Sequence, residues 1–181
     1  MLKKVLLTFL LFILSTDFCS AGALYVGANL GEVTNTTDTN NGNFRGMPVG
    51  VSLGYGVILS QSFFLGGELF STLATMGFQD NGLASSYNFG FSLLPGILLG
   101  DHSMFYGRVS IVGTRFSPSS STGSGKNSTV VGGQVGVGLQ AGLTRNLDLR
   151  SEYVYSAYTS FHQVASPRQD QYNLGLVYRF E

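Results

Sequence analysis

Between Leu143 and Tyr158 the chain reads LTRNLDLRSEYVYSAY, a tight turn opening into a run whose character switches at every second residue. Successive side chains of an extended strand point to opposite faces. Leu147, Leu149, Tyr153 and Tyr155 therefore share one face, and Asp148, Arg150 and Glu152 share the other. The first face suits a greasy phase and the second something enclosed or wet. The stretch reads as one stave of a membrane β-barrel.

Charge content supports this reading. Only 11% of residues are charged, against roughly 25% in an ordinary soluble domain. The longest apolar run lies at the extreme N-terminus, and nothing after it resembles the apolar helix of about 20 residues that crosses a bilayer. Lipid cannot satisfy backbone N–H and C=O groups, so the alternative to spanning helices is a closed barrel. Residues 24–181 leave about 158 positions, and roughly 20 residues per strand plus connection give eight strands in one domain.

Residues 1–23 read as a cleavable export signal. Lys3 and Lys4 form the charged start, Val5 to Leu14 the short apolar core, and Ala21 or Ala23 the small-residue cleavage point. Cleavage after Ala21 removes Cys19, the one cysteine, and with it disulfide or thiol chemistry. The chain holds ten basic and ten acidic residues, and loss of Lys3, Lys4 and Asp17 leaves a net charge near −1. No nucleic acid or other polyanion is implied as a partner.

The remainder divides into an antiparallel, up-and-down series of strands: 24–31, 48–59, 62–73, 87–99, 104–115, 129–143, the strand after Arg145, and 169–180. Four long connections, Glu32–Gly46, Ala74–Ser86, Phe116–Ser128 and Thr159–Arg168, alternate with three short turns. The long connections read as exposed polar loops, with Phe44, Met76, Phe78, Phe161 and Val164 as their few apolar anchors. Pro95 lacks a ladder donor, so a bulge or local break is expected there.

Magnitudes decide which face is inside. Arg108 and Arg150 facing lipid would each cost about 2–4 kcal/mol at mid-membrane, with more for Glu68 and Glu152. The polar face is also rich in glycine, Gly27, Gly50, Gly54, Gly90, Gly136 and Gly138 among them, which leaves room for a few large residues in a narrow lumen. Charges and glycines go in; Leu, Val, Phe and Tyr go out. Bacterial barrels keep short turns on the periplasmic side and long loops outside.

With YVGANLG at 25–31, LTRNLDLRSEYVYSAY at 143–158 and NLGLVYRF at 173–180, the chain resembles the small eight-stranded outer-membrane barrels of the OmpA transmembrane-domain and opacity-protein type. The resemblance implies a bacterial outer-membrane location, with membrane lipid as surroundings. Asn173, Gly175, Tyr178 and Phe180 fit the polar, glycine, aromatic, aromatic spacing read by the barrel-assembly machinery. The family ends on the aromatic, whereas this chain adds Glu181. The peptidoglycan-binding domain of larger relatives is not expected.

Three groupings are candidates for chemistry. Glu68, Arg108, Arg150, Glu152 and Arg179 point into the lumen, where opposite charges must neutralise one another. They are expected to form a structural network in preference to a conducting pore. A lipid-modifying barrel enzyme, the least favoured reading, would need a His with a nearby Ser or acid on the lipid-facing or outer-rim surface; His102 falls in a short turn and His162 in a long loop near Ser160 and Asp170, so neither is expected to be catalytic. Gly136 to Ala141 imitates a dinucleotide fingerprint but lacks a following helix. No cofactor, metal or enzymatic activity is expected. Two functions remain: a surface protein presenting four loops for adhesion to a host surface or matrix ligand, or a structural outer-membrane protein with minor pore activity.

Overall fold

The computed structural model describes residues 22–36, 44–59, 62–79, 83–100, 102–118, 128–159 and 168–180. The expected export signal lies outside them, apart from Gly22 and Ala23. Eight strands follow in chain order: β1 (Gly22–Thr36), β2 (Phe44–Ile58), β3 (Phe63–Gln79), β4 (Leu83–Leu98), β5 (Ser103–Pro118), β6 (Ser128–Gly142), β7 (Leu147–Tyr158) and β8 (Arg168–Phe180). Each pairs antiparallel with its sequence neighbours, and β8 returns to β1, closing the barrel.

The stagger follows from the register. Starting at Leu24, the partners run Tyr55, Gly67, Leu93, Val109, Val135, Tyr155 and Asp170, and the walk re-enters β1 at Thr34, ten residues from its start. A shear of that size over eight strands requires them to tilt, typically by about 35–45°. Every residue on this walk points outward, so one alternation runs coherently around the wall. Leu69, Ile111 and Val131 are among the most exposed residues, Ile111 at 69%, whereas Glu68 on the opposite face is 1% exposed. Apolar exposure of this extent fits a lipid solvent; the charges expected inside, Glu68, Arg108, Arg150 and Glu152, are buried there, while Leu94, Val112 and Val177 also face inward, against the expectation that such residues go out.

Several connections are shorter than expected. β1 continues to Thr36 and β2 begins at Phe44, so much of Glu32–Gly46 is paired strand, with Val33 opposite Gly46 and Asn35 opposite Phe44. β3 likewise runs to Gln79, β4 starts at Leu83, and β5 reaches Pro118. The reason lies in the lumen: outward side chains turn polar at Glu32, Thr34 and Arg45, while Val33, Asn35 and Phe44 stay buried inside. Phe44 is thus a lumen residue and not a loop anchor. Met76 is outward-facing on β3, Phe78 falls in β3 but its side chain lies outside the described set, and Phe161 and Val164 lie outside the described residues. Strands of 12 to 17 residues exceed the roughly 9–11 needed to cross a bilayer. The surplus projects beyond the apolar belt at the long-connection end.

Pro95 causes no bulge. Pairing of β4 with β5 stops at Leu93↔Val109 and resumes at Gly96↔Tyr106 in the same register, a local lapse where proline has no N–H to give. Register shifts occur instead near the long-connection rim, between Arg45 and Gly46, Val49 and Gly50, and Ser85 and Tyr87, as is usual at barrel rims. At the other end, Gly100 takes a φ of 86° in the β4–β5 turn, closed by Leu99 N donating to Ser103 O at 2.7 Å. A side chain at that φ would be strained.

Candidate functional site

The inward parity of β3, β5 and β7 brings Glu68, Arg108, Arg150 and Glu152 together near mid-wall. Arg108 donates from Nη2 to Glu68 Oε1 and from Nε to Glu152 Oε1, each at 2.6 Å. Its Nη1 donates to Ser92 Oγ. Arg150 Nη1 donates to Glu68 Oε2 at 2.5 Å, so Glu68 bridges both arginines through separate oxygens. Tyr106 OH adds a bond of 2.9 Å to Glu152 Oε1. Two positive and two negative side chains, all nearly inaccessible, make a neutral cluster. Such pairing is what a buried charge requires, because desolvation otherwise exceeds the Coulomb gain.

Toward the short-turn end, one aromatic and aliphatic layer underlies the quartet. Tyr25, Leu94, Met104, Tyr106 and Val177 pack together there, with Phe64 and Leu98 against them. The Arg150 guanidinium lies over the Tyr25 and Tyr106 rings, at 5.3 and 5.5 Å from their centroids. These rings fit because they face glycines. A Cβ built on Gly54 would enter the Tyr25 ring, and one on Gly138 the Tyr106 ring, each glycine being the direct cross-strand partner. Gly90 under Phe70 and Gly132 under Tyr158 repeat the arrangement higher up.

Toward the long-connection end, the lumen is crossed by side-chain hydrogen bonds. Gln134 donates to Ser156 at 3.0 Å, and Thr114, Tyr158, Gln169 and Asn35 form a chain with links of 2.8 to 3.0 Å. Between this layer and the quartet lies a void of about 30 Å³ bordered by Asn29, Thr72, Asn88, Gln134 and Glu152. That is room for water, and far below the roughly 300–1,000 Å³ of a ligand pocket.

Arg179, expected in the same network, does not touch the quartet. Its Nη2 donates to Asp148 Oδ1 at 3.0 Å, because it sits near the end of β8, level with the start of β7. The two groups are linked indirectly: Gln140 donates to Asp148 Oδ2 at 2.6 Å and accepts from Arg150 Nε at 3.1 Å. Sequence reasoning placed Asp148 on the inward face without assigning it this partner, and passed over the relay through Gln140, although inward parity on β6 was the available signal. His102 lies in the β4–β5 turn; His162 and Ser160 lie outside the described residues, so no dyad with Asp170 is described. Asp170 instead accepts from Tyr153 OH at 2.5 Å on the outer surface. Asn173 and Gly175 face the lumen along the β1–β8 seam, while Tyr178 and Phe180 face outward with ring centroids 5.1 Å apart. Glu181 lies outside the described residues.

A closed eight-stranded barrel with an apolar exterior and paired charges within is a transmembrane β-barrel. The chain belongs to the outer membrane protein beta-barrel domain family, whose sequence model matches residues 5–180, and its location is the bacterial outer membrane. Among solved structures it is similar to neisserial surface protein A (NspA), at 19% identity and a TM-score of 0.67, covering 87% of this chain and 97% of that one. It is also similar to Ail, the attachment invasion locus protein of Yersinia pestis, at 17% identity and a TM-score of 0.58, covering 88% and 99%. Ail in complex with the heparin analogue sucrose octasulfate matches at 16% identity and a TM-score of 0.57, covering 88% and 99%. At these identities the likeness is one of fold. No curated protein matches the chain in sequence.

Proposed function

We propose that this protein is a non-enzymatic surface barrel whose outer loops carry an adhesive or other interaction function, with the lumen network serving as a structural plug. The observation behind this reading is the filled lumen. Paired charges, a packed aromatic layer and a hydrogen-bonded upper layer occupy the interior in succession. A wall so filled has little use as a passage, while its strands rise past the belt and hold the loops clear of the membrane. The likeness to Ail, named for attachment and invasion, is consistent with this role.

The ligand class follows less from charge. The described outer rim carries Arg45, Arg115 and Arg168 against Glu32 and Asp170, and the chain as a whole is neutral. A panel of host cells, matrix proteins and a sulfated glycan is therefore the suitable probe. On the same reading, Asn173, Gly175, Tyr178 and Phe180 engage the barrel-assembly machinery. Replacing residues 37–43 and 119–127 by turns of about four residues preserves every described strand. These variants should fold and keep their heat-dependent gel shift, yet lose attachment to the ligand that the parent binds. Undiminished attachment, or a parent that binds nothing on the panel, favours the envelope-structural reading instead.

A further inference from the structure

The outward face of the wall carries an asymmetry that neither the lumen nor the loops explain. Of the three charged residues in β3 to β6, Glu68 and Arg108 face the lumen, so Arg115 is the one outward charge on half of the barrel's strands. It lies on β5 between Tyr87 of β4 and Thr129 of β6, its direct cross-strand partners, and all three are exposed. Three hydrogen-bond donors therefore stand in one row across adjacent strands.

The register fixes the height of that row. One circuit of the wall climbs ten residues over eight strands, so a level line slips by about 1.25 residues per strand against the register. On such a line Arg45 of β2, Arg115 of β5 and Arg168 of β8 fall at one height, just above the aromatic edge formed by Tyr87 and Phe89, whose ring centroids are 6.1 Å apart. Bacterial barrels keep this long-loop end outside and carry such girdles at the membrane interface, so the arginines stand at the level of the outer-leaflet headgroups. Two of them have acids close by. Arg45 meets Glu32 at 3.7 Å, and Arg168 shares its strand and face with Asp170. Arg115 has no acidic partner among the described residues.

The wall beneath the row leaves room for a chain. Gly133, two outward positions below Thr129 on β6, has nothing within 4 Å of a built Cβ, and its partner on β7 is the small Ala157. Ile111, its partner on β5, and Val131 are among the most exposed side chains of the wall and border this low floor.

We infer that the row binds a phosphate-bearing lipid of the outer leaflet, with the phosphate on the Arg115 guanidinium and the Tyr87 and Thr129 hydroxyls, and an acyl chain over Gly133 and Ala157. A guanidinium matches phosphate through paired, charge-assisted hydrogen bonds. The inference is independent of the loop function.

The test uses folded mature protein in a neutral alkyl maltoside detergent, titrated with didecanoyl phosphatidic acid, with native mass spectrometry counting the bound lipid. One saturable lipid per barrel is expected. Didecanoylglycerol, which lacks the phosphate, and inorganic phosphate, which lacks the chains, should each bind about tenfold more weakly or less, the factor associated with one charge-assisted hydrogen bond. Arg115→Gln should weaken phosphatidic acid by about tenfold or more. Arg45→Gln and Arg168→Gln remove the same charge and should change its affinity by less than about twofold. Gly133→Leu raises the floor without touching the phosphate contacts and should weaken binding about fourfold, the equivalent of one buried methylene. All four positions are on the outer surface, and the heat-dependent gel shift reports that each variant folds. Equal losses at the three arginines, phosphatidic acid bound no better than either partial probe, unchanged affinity in folded Arg115→Gln or Gly133→Leu, or no saturation in the parent overturns the inference.

Discussion

Replacing Arg108 by alanine should destabilise the folded barrel by about 3–5 kcal/mol, the usual consequence of leaving one partner of a buried ion pair alone. The structure supports the upper part of that range. Arg108 is 5% exposed and gives three separate donors, to Glu68, Glu152 and Ser92. Without it, Glu68 retains Arg150, but Glu152 retains only the Tyr106 hydroxyl, and the cluster carries a net negative charge in a poorly hydrated lumen. The control is Arg45→Ala. Arg45 meets Glu32 at 3.7 Å, and both side chains are more than half exposed, so about 0–1 kcal/mol is at stake. Guanidinium unfolding followed by tyrosine emission, in a chain with no tryptophan, should place the Arg108→Ala midpoint lower by on the order of 1 M, given slopes of about 2–6 kcal/mol/M. Adding Glu152→Gln to Arg108→Ala removes the stranded charge and should recover part of the loss, with a coupling of about 0.5–3 kcal/mol. Equal midpoints for Arg108→Ala and Arg45→Ala would refute the reasoning.

The glycines under the aromatic rings give a second expectation. Gly54→Ala and Gly138→Ala drive a Cβ into Tyr25 and Tyr106 and should each cost about 1–3 kcal/mol as overpacking. Lipid-facing Gly133, with nothing within 4 Å of a built Cβ, should accept alanine with a change within about 0.5 kcal/mol; thermal gel-shift midpoints measure all three. Val109→Lys, outward on the belt, should cost about 2–4 kcal/mol by the depth rule for lipid-facing charge, whereas Thr34→Lys above the belt should be close to neutral in the same unfolding assay. Gly22 pairs with Val57 and Ala23 with Gly56, so the mature chain is expected to begin at Gly22, with cleavage after Ala21. Intact-mass measurement should agree with that terminus; a start at Leu24 would contradict it.

Period-two patterning made the wall legible because two solvents, lipid and lumen, sort side chains at every residue. Leu147, Leu149 and Tyr153 against Asp148, Arg150 and Glu152 was enough to orient β7, and similar runs oriented the others. The strand ends were less legible. Where Glu32 and Thr34 leave the membrane, the outward face turns polar, and Asn35 looks like a loop residue until its partner Gln169, at 2.9 Å, is known. The charged candidates were visible as inward residues, but their pairing depends on axial height, which the tilt fixes and local sequence does not. Arg179 is the clear instance: it faces inward, yet its place near the end of β8 brings it to Asp148, with Gln140 intervening before Arg150. The glycine beneath each tyrosine is likewise a cross-strand relation, set by registers such as Tyr25↔Gly54, which composition alone does not reveal.

Odd and even positions of each strand face different solvents, lipid on one side and the lumen on the other. Single cysteines placed in turn at Arg108, Val109, Ser110, Ile111 and Val112 of the mature chain, which carries no cysteine of its own if cleavage removes Cys19, test it most directly. Nitroxide labels at these sites, in lipid bilayers, report collision with oxygen dissolved in the membrane. A period of two is expected, with high oxygen accessibility at Val109 and Ile111 and low values at Arg108, Ser110 and Val112. A reversed phase, or one uniform value along the strand, would contradict it.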